Sequence, residues 1–244
     1  MSYGKTAYIK MKRQASPIDN PYWEKFQLEY GDDDTILSLL LRLENPANNS
    51  VPVHHECNCK EEMCGTCTIR INGIPRLSCS TLVADLPASS LRNPIILEPL
   101  NKFAVIKDLT VDRSRISQSL SKVKNWVETD ELFGSKTEYG QKMQHEMYSY
   151  AKCINCGSCY DACPRTSKSQ SRYIGPSAIA HVVTMNDHPL GKESSKERLE
   201  SIMGNDGVSK CGKVMVCEKV CPKNVPLVRS ITRANREAVH KLFH

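Results

Sequence analysis

The sequence lacks a long apolar run. Its longest, residues 36–43, is interrupted by Ser38 and Arg42 and falls far short of the roughly 20 apolar residues that a spanning helix needs, so the chain is not expected to cross a membrane. Aromatic side chains are scarce at 6%. Few platforms are left for stacking bases, no nucleic-acid motif occurs, and no nucleic-acid partner is expected. The net charge of +6 comes from lysines and arginines scattered among acids, the pattern of an ordinary solvated surface. Also absent are a G-x-G-x-x-G run after a strand, a Walker A loop and any Ser-His-Asp or paired-carboxylate set, which argues against nucleotide-fold, phosphate-cradling and hydrolytic chemistry. The chain begins MSYGKTAYIK with no apolar leader. A reducing cytoplasm is therefore expected, where cysteines bind metal rather than pair as disulfides.

What the sequence has in abundance is cysteine, twelve in 244 residues. The run Cys153-Ile-Asn-Cys156-Gly-Ser-Cys159-Tyr-Asp-Ala-Cys163-Pro164 reads C-x2-C-x2-C-x3-C-P. Bacterial-type ferredoxins use this spacing to wrap an iron-sulfur cubane, with the fourth cysteine reaching a second cluster. Gly157 relieves the crowding where the backbone must curl. Further on, Cys211-Gly-Lys-Val214-Met-Val-Cys217-Glu-Lys-Val-Cys221-Pro222 repeats the frame with valine in the second slot. By the crossover rule Cys153, Cys156, Cys159 and Cys221 hold a 4Fe-4S cluster, while Cys163, Cys211 and Cys217 hold the other. Val214 cannot bind iron, so three thiolates imply a 3Fe-4S centre. The alternative, a 4Fe-4S cluster with oxygen or water on its fourth iron, is weakened because no Asp or His fills the vacant slot.

Nearer the start, Cys59, Cys64, Cys67 and Cys79 give C-x4-C-x2-C with a distant fourth cysteine, the plant-type 2Fe-2S pattern. Gly65 and Thr66 are small enough to let backbone N–H groups approach bridging sulfide. Cys57 could replace Cys59, but Cys59 alone gives the four-residue gap, so Cys57 is read as a spectator thiol. His54 and His55 raise the alternative of a Rieske centre; with four well-spaced cysteines at hand they are read as loop residues.

The hydrophobic pattern places these runs in an α+β chain. Alternation over residues 6–12 and at Phe26, Leu28 and Tyr30 predicts two strands of a hairpin. Asp34 is expected to cap a helix that buries Ile36, Leu37, Leu40, Leu41 and Leu43, with Pro46 just past its end. Asn72-Gly73 predicts a hairpin turn leading back to Cys79. Residues 93–100 read as a last strand and 103–109 as a connector. Beyond them the period becomes helical: Ile116, Leu120, Val123 and Val127 share a face, and Met143 and Met147 are read as core filling. Pro176 opens another helix, Ser195 to Met203 form a short one ended by Gly204, and Pro226 opens the last. That last helix turns Leu227, Ile231, Ala234, Ala238 and Leu242 inward. A boundary near residue 106 divides the chain into a plant-type 2Fe-2S ferredoxin (β-grasp) domain, 1–106, and an all-helical bacterial-ferredoxin-like domain, 107–244.

These cysteine frames, together with INGIPRLSC, FAVIKDLTVDRSR, CINCGSCYDACP, YIGPSAI and CEKVCPKNVPL, resemble the iron-sulfur subunit of succinate dehydrogenase and fumarate reductase over nearly the whole chain. KVKNW and HPLGKESSKERLE look most like the menaquinone-linked bacterial branch. The resemblance implies an electron-transfer subunit with no dicarboxylate site of its own. It also implies a flavoprotein partner carrying FAD, a membrane-anchor cytochrome b partner with haem b where menaquinone reacts, and peripheral attachment to the cytoplasmic face of the bacterial membrane. In such a subunit the 2Fe-2S centre lies nearest the flavin and the 3Fe-4S centre nearest the membrane. One departure stands out: ubiquinone-reducing relatives place tryptophan soon after the Cys-Pro and histidine after the next cysteine, whereas here Arg165-Thr166-Ser167-Lys168 follow Pro164 and Gly212 follows Cys211. Two competing readings are a free soluble polyferredoxin and the iron-sulfur subunit of a soluble, thiol-linked fumarate reductase. Copurifying flavin and haem distinguish all three.

Overall fold

The computed structural model describes residues 4–47, 51–127, 140–168 and 173–243. They form two compact units, Met1–Arg113 with Cys156–Asp161, and Ser114–Asn155 with Ala162–His244. In the first, β1 (Lys5–Arg13) and β2 (Tyr22–Tyr30) pair antiparallel with Ile9 opposite Phe26. Then come α1 (Ile36–Glu44), β3 (Thr68–Ile71), β4 (Ile74–Leu77) and β5 (Ile95–Glu98). The sheet order is β2-β1-β5-β3-β4, with β1 and β5 parallel and the other pairs antiparallel. One face presents Ala7, Ile9 and Met11 of β1, Ile69 and Ile71 of β3, and Ile95 and Leu97 of β5. Against it α1 lays Ile36, Leu39, Leu40 and Leu43. Each fully buried aliphatic side chain contributes about 1.5–3 kcal/mol, so this single face carries the unit.

The helix starts one residue later than expected. Thr35, not Asp34, is its cap, with Oγ1 accepting the Ser38 N–H at 3.2 Å. Asp34 instead accepts from the Gly31 N–H and the Ser38 hydroxyl and pairs with Arg42 at 2.8 Å. Leu39 is buried in the helix and Leu41 is only half-buried, because 100° per residue brings 36, 39, 40 and 43 onto one stripe.

The expected connector is a hairpin, β6 (Ala104–Lys107) and β7 (Thr110–Asp112), turning at Asp108 with φ 45°. Because β7 folds back on β6, the first unit continues past residue 106 to Arg113. Asp108 also answers a charge buried in the sheet. Arg13 occupies the next inward position of β1 after Met11, so its guanidinium is enclosed. It donates to Asp108 at 2.9 Å and to the Pro52 carbonyl at 3.1 Å, and pairs with Glu24. Asp108 further accepts the N–H groups of Gln14 at 3.0 Å and His54 at 2.9 Å. A buried ion pair is tolerable when the remaining hydrogen-bond positions are filled, as they are here.

The elements described in the second unit are helical: α2 (Ser114–Lys122), α3 (Gln141–Ala151), α5 (Pro176–Asp187), α6 (Ser195–Met203), α7 (Val216–Lys219) and α8 (Leu227–Phe243). The short α4 (Ser158–Ala162) lies in the first cubane run. Helix α5 is the centre, packed by α3, α6 and α8 and burying Ala178, Ile179, Val182 and Val183. Helix α8 buries Leu227, Ile231, Ala234 and Ala238 as its period predicts; the Leu242 side chain lies outside the described residues. Met143 is exposed rather than core filling, since α3 buries only Tyr150. The guanidinium of Arg198, itself buried, donates to the carbonyls of Lys124 at 2.9 Å and Trp126 at 2.7 Å. That contact stitches KVKNW to the segment around α6. Among the described residues no helix is long and apolar enough to cross a membrane.

Candidate iron-sulfur centres

The β3–β4 hairpin brings the two ends of the plant-type frame together. Thr68 pairs with Leu77, so Cys67, just before β3, stands beside Cys79, just after β4. The turn uses Asn72 at φ 50° and Gly73 at φ 79°, the double left-handed geometry that Asn-Gly favours. The Cys79 thiol is pushed up to about 12, by burial first and then by its hydrogen bond with Cys67. Cys59 sits under a ring of donors: its sulfur accepts the N–H groups of Glu61 at 3.5 Å, Met63 at 3.2 Å and Cys64 at 3.3 Å. For Cys64, burial raises the thiol, but hydrogen bonds from Cys59 and Thr66 outweigh it and bring it down to about 6. Thiolate is the form that binds metal, so the loop favours that form at Cys64, whereas Cys79 would have to release its proton to solvent on binding one.

Cys57 is half-buried and free of disulfide, and burial raises its thiol. His54 Nδ1 is 2.8 Å from Thr110 Oγ1. The His55 ring is buried, 4.0 Å from Glu44, and among the described residues neither of its nitrogens makes a hydrogen bond.

In the second unit Cys163, Cys211 and Cys217 line one small pocket, with Tyr173, Pro176 and Ile231 among its walls. Cys217 is pushed up to about 11, first by burial and then by the neighbouring Cys163 and Cys211 thiols. Val214 lines the same pocket and is 58% exposed. Of the other frame, Cys156 and Cys159 belong to the first unit, and Cys153 and Cys221 to the second. The Cys156 sulfur lies 3.3 Å from Ser158 Oγ, and the Cys221 sulfur accepts the Val225 N–H at 3.4 Å.

Backbone conformation tests whether these loops suit clusters. Among the described residues nine that are not glycine have positive φ, and six of them, Lys60, Glu62, Asn155, Lys213, Met215 and Asn224, lie in the cysteine loops. Gly65 at φ 75° and Gly157 at φ 89° join them. Left-handed residues among right-handed ones turn successive N–H groups into a concavity that holds anions, sulfide included. Among the described residues no three His, Cys, Asp or Glu side chains converge closely enough to share one metal ion. Thiols that surround a cluster several atoms across have no need to converge so closely. Donor type, loop curvature and hydrogen bonds onto sulfur all fit iron-sulfur clusters.

Comparison with known proteins agrees with the geometry. Residues 8–118 match the model of a 2Fe-2S iron-sulfur cluster binding domain, and residues 145–222 that of a 4Fe-4S dicluster domain. The succinate dehydrogenase iron-sulfur subunit of Bacillus subtilis is 38% identical over 100% of this chain and 96% of its own length. The chain belongs to the family of succinate dehydrogenase and fumarate reductase iron-sulfur subunits. Within that family the fumarate reductase iron-sulfur subunit of Wolinella succinogenes is 29% identical over 92% of both chains. A solved structure of the Mycobacterium smegmatis Sdh1 complex in the apo form shares the fold, with a TM-score of 0.82, 20% identity and 98% coverage of each chain. As a member of this family the chain carries 2Fe-2S and 4Fe-4S clusters.

Two supports of the family's site escaped sequence reasoning. Arg113 donates to the Thr66 carbonyl at 2.7 Å and to Glu56 at 2.6 Å, bracing both flanks of the two-iron loop. Arg165 lies where a side chain at position 212 would project: a Cβ on Gly212 would stand 3.2 Å from its Nε. Both arginines fall in stretches already singled out, FAVIKDLTVDRSR and the residues after Pro164, but nothing in their spacing announces a partner.

Proposed function

We propose that the chain is the electron-carrying subunit of a membrane-attached succinate:quinone oxidoreductase or fumarate reductase. It stands between a flavoprotein subunit holding FAD and a membrane-anchor cytochrome b subunit, with haem b, where menaquinone reacts. The observation that supports this most is the 38% identity to a succinate dehydrogenase iron-sulfur subunit across the full chain, with three cysteine frames in place. In this reading Cys59, Cys64, Cys67 and Cys79 hold the 2Fe-2S centre, and Cys153, Cys156, Cys159 and Cys221 the 4Fe-4S centre. Cys163, Cys211 and Cys217 hold a 3Fe-4S centre, and Cys57 is a bystander. Residues 1–106 are the plant-type β-grasp ferredoxin module, and residues 107–244, helical beyond the β6–β7 hairpin, the bacterial-ferredoxin-like module. The subunit attaches peripherally at the cytoplasmic face of the membrane and has no dicarboxylate site of its own.

When bound, the clusters supply one-electron oxidation and reduction with no bond made or broken in the polypeptide. The residues of the chain do the rest. Cysteine thiolates fix each position, and N–H groups directed at sulfur stabilise added negative charge, which raises a potential. Tyr173 and Ile231 form apolar walls around Cys163, Cys211 and Cys217, and a dry wall strengthens every charge effect inside it. Around Gly212, Arg165 occupies the space in which ubiquinone-reducing relatives carry a histidine. A quinone pocket of that design is therefore missing here, and quinone contacts fall mainly to the anchor.

The test is isolation of the complex from membranes. FAD and haem b should copurify with the chain, and menaquinone analogues should outperform ubiquinone analogues as acceptors. A chain purifying without flavin overturns the reading, and preference for ubiquinone overturns its quinone clause.

A further inference from the structure

The segment Cys156–Asp161 belongs to the first unit although it lies far along the chain from the rest of it, and one side chain accounts for much of that. Asp161 has no exposed side-chain surface. Its Oδ2 accepts from Arg70 Nη1 at 2.8 Å, and its Oδ1 accepts the N–H groups of Asn101 at 2.6 Å and Lys102 at 3.1 Å. Arg70 sits on β3, three residues after Cys67, is 18% exposed, and has Glu98 of β5 at 4.0 Å as its other acidic neighbour. Beside the pair, Tyr160 packs its ring against Phe103 with centroids 6.4 Å apart; both are buried. Asp161 follows Cys159 by two residues. A path of one strand, one ion pair and one helical turn thus runs from a ligand of the two-iron frame to a ligand of the four-iron frame.

The cost of burying this carboxylate is offset because three donors converge on it. An apolar side chain here would leave the Asn101 and Lys102 N–H groups and the Arg70 cation without their acceptor, so the carboxylate is what ties this turn to β3 and to residues 101–102. We propose that Arg70 and Asp161 are positioning residues: their ion pair locks the Cys156–Cys159 turn to the strand leaving Cys67 and so fixes the separation of the two centres. This rests on the ligand sets proposed above. Electron tunnelling falls off exponentially with separation, so a fixed spacing protects the transfer rate against motion of the loop.

The test uses the purified complex, reduced until both centres are paramagnetic, and reads iron content and the magnetic dipolar coupling between them. Asp161→Asn keeps an acceptor for the two N–H groups but loses the charge. Arg70→Gln loses the cation, and Arg70→Lys restores it. The expected result is full iron in all three, a distribution of couplings several-fold broader in Asp161→Asn and Arg70→Gln, and a return toward the original width in Arg70→Lys. Unchanged coupling in fully loaded Asp161→Asn and Arg70→Gln overturns the proposal, as does Arg70→Lys behaving like Arg70→Gln. Loss of iron from Asp161→Asn and Arg70→Gln makes the pair a folding requirement and overturns it too. Absence of any coupled pair of signals in the unaltered complex instead refutes the ligand sets on which the proposal stands.

Discussion

Replacing Val214 with cysteine puts a fourth thiol on the wall of a pocket that already holds Cys163, Cys211 and Cys217. Val214 is 58% exposed, so the exchange should change stability by no more than about 0.5 kcal/mol, the usual range for surface substitutions. Its effect on the metal should be large. A fourth thiolate completes the corner that valine leaves open, and iron should rise by about one atom per chain. The added negative charge disfavours reduction. A unit charge about 4 Å away at an effective dielectric of about 20 is worth roughly 4 kcal/mol. At about 2.3 kcal/mol per 100 mV this corresponds to a fall in potential on the order of 100–200 mV. Electron paramagnetic resonance during a stepwise redox titration reads both effects: the three-iron signal of the oxidised state should vanish, and a four-iron signal should appear on reduction at lower potential. A variant with unchanged iron, spectrum and potential would refute the placement of Val214 in the vacant slot.

Arg13→Met should leave Asp108 as a buried carboxylate without its cation. Such breaks cost about 3–5 kcal/mol, and because Gln14 and His54 still donate to Asp108 the loss should sit near the lower end; a denaturation shift under about 1 kcal/mol would contradict it. Burial pushes the His181 imidazole down to about 4, below its ordinary value, so the unfolded chain takes up the proton first as pH falls. Its contribution is complete above about pH 6.5 and is lost toward pH 4, at most about 3 kcal/mol. His181→Leu should therefore narrow its stability gap to the parent across that window, and parallel curves would sink the idea. Gly65→Ala forces a side chain into φ 75° at about 1 kcal/mol; two-iron occupancy, read by spin quantitation, should fall while the four-iron signal persists, and equal loss of both would argue against a local effect.

Much of this was legible in the sequence because the informative signals are local. Alternation at Ala7, Ile9 and Met11 gives the buried face of β1, Asn72-Gly73 the hairpin, and cysteine spacing the loops, since a short stretch must curl to present its sulfurs to one cluster. What escaped depends on partners far away in the chain. Arg13 continues the inward alternation of β1, but a charged residue there looks like the end of a strand, and its acceptor Asp108 lies 95 residues on. Residues 103–109 carry too little apolar periodicity to reveal β6, which is held by pairing with β7 rather than by a core of its own. The helix cap is a different case, a local ambiguity: Asp and Thr both cap well, and the neighbouring Gly31 and Arg42 claim the Asp34 carboxylate.

In the proposed ligand sets eleven of the twelve cysteines are committed to three clusters and Cys57 to none. Anaerobic purification followed by iron and sulfide analysis, with alkylation of the intact folded complex and mass mapping, tests it directly. About nine iron atoms per chain and modification confined to Cys57 is the predicted result. Markedly less iron, missing sulfide, or alkylation of any cysteine in the three frames at the rate of Cys57 would contradict it.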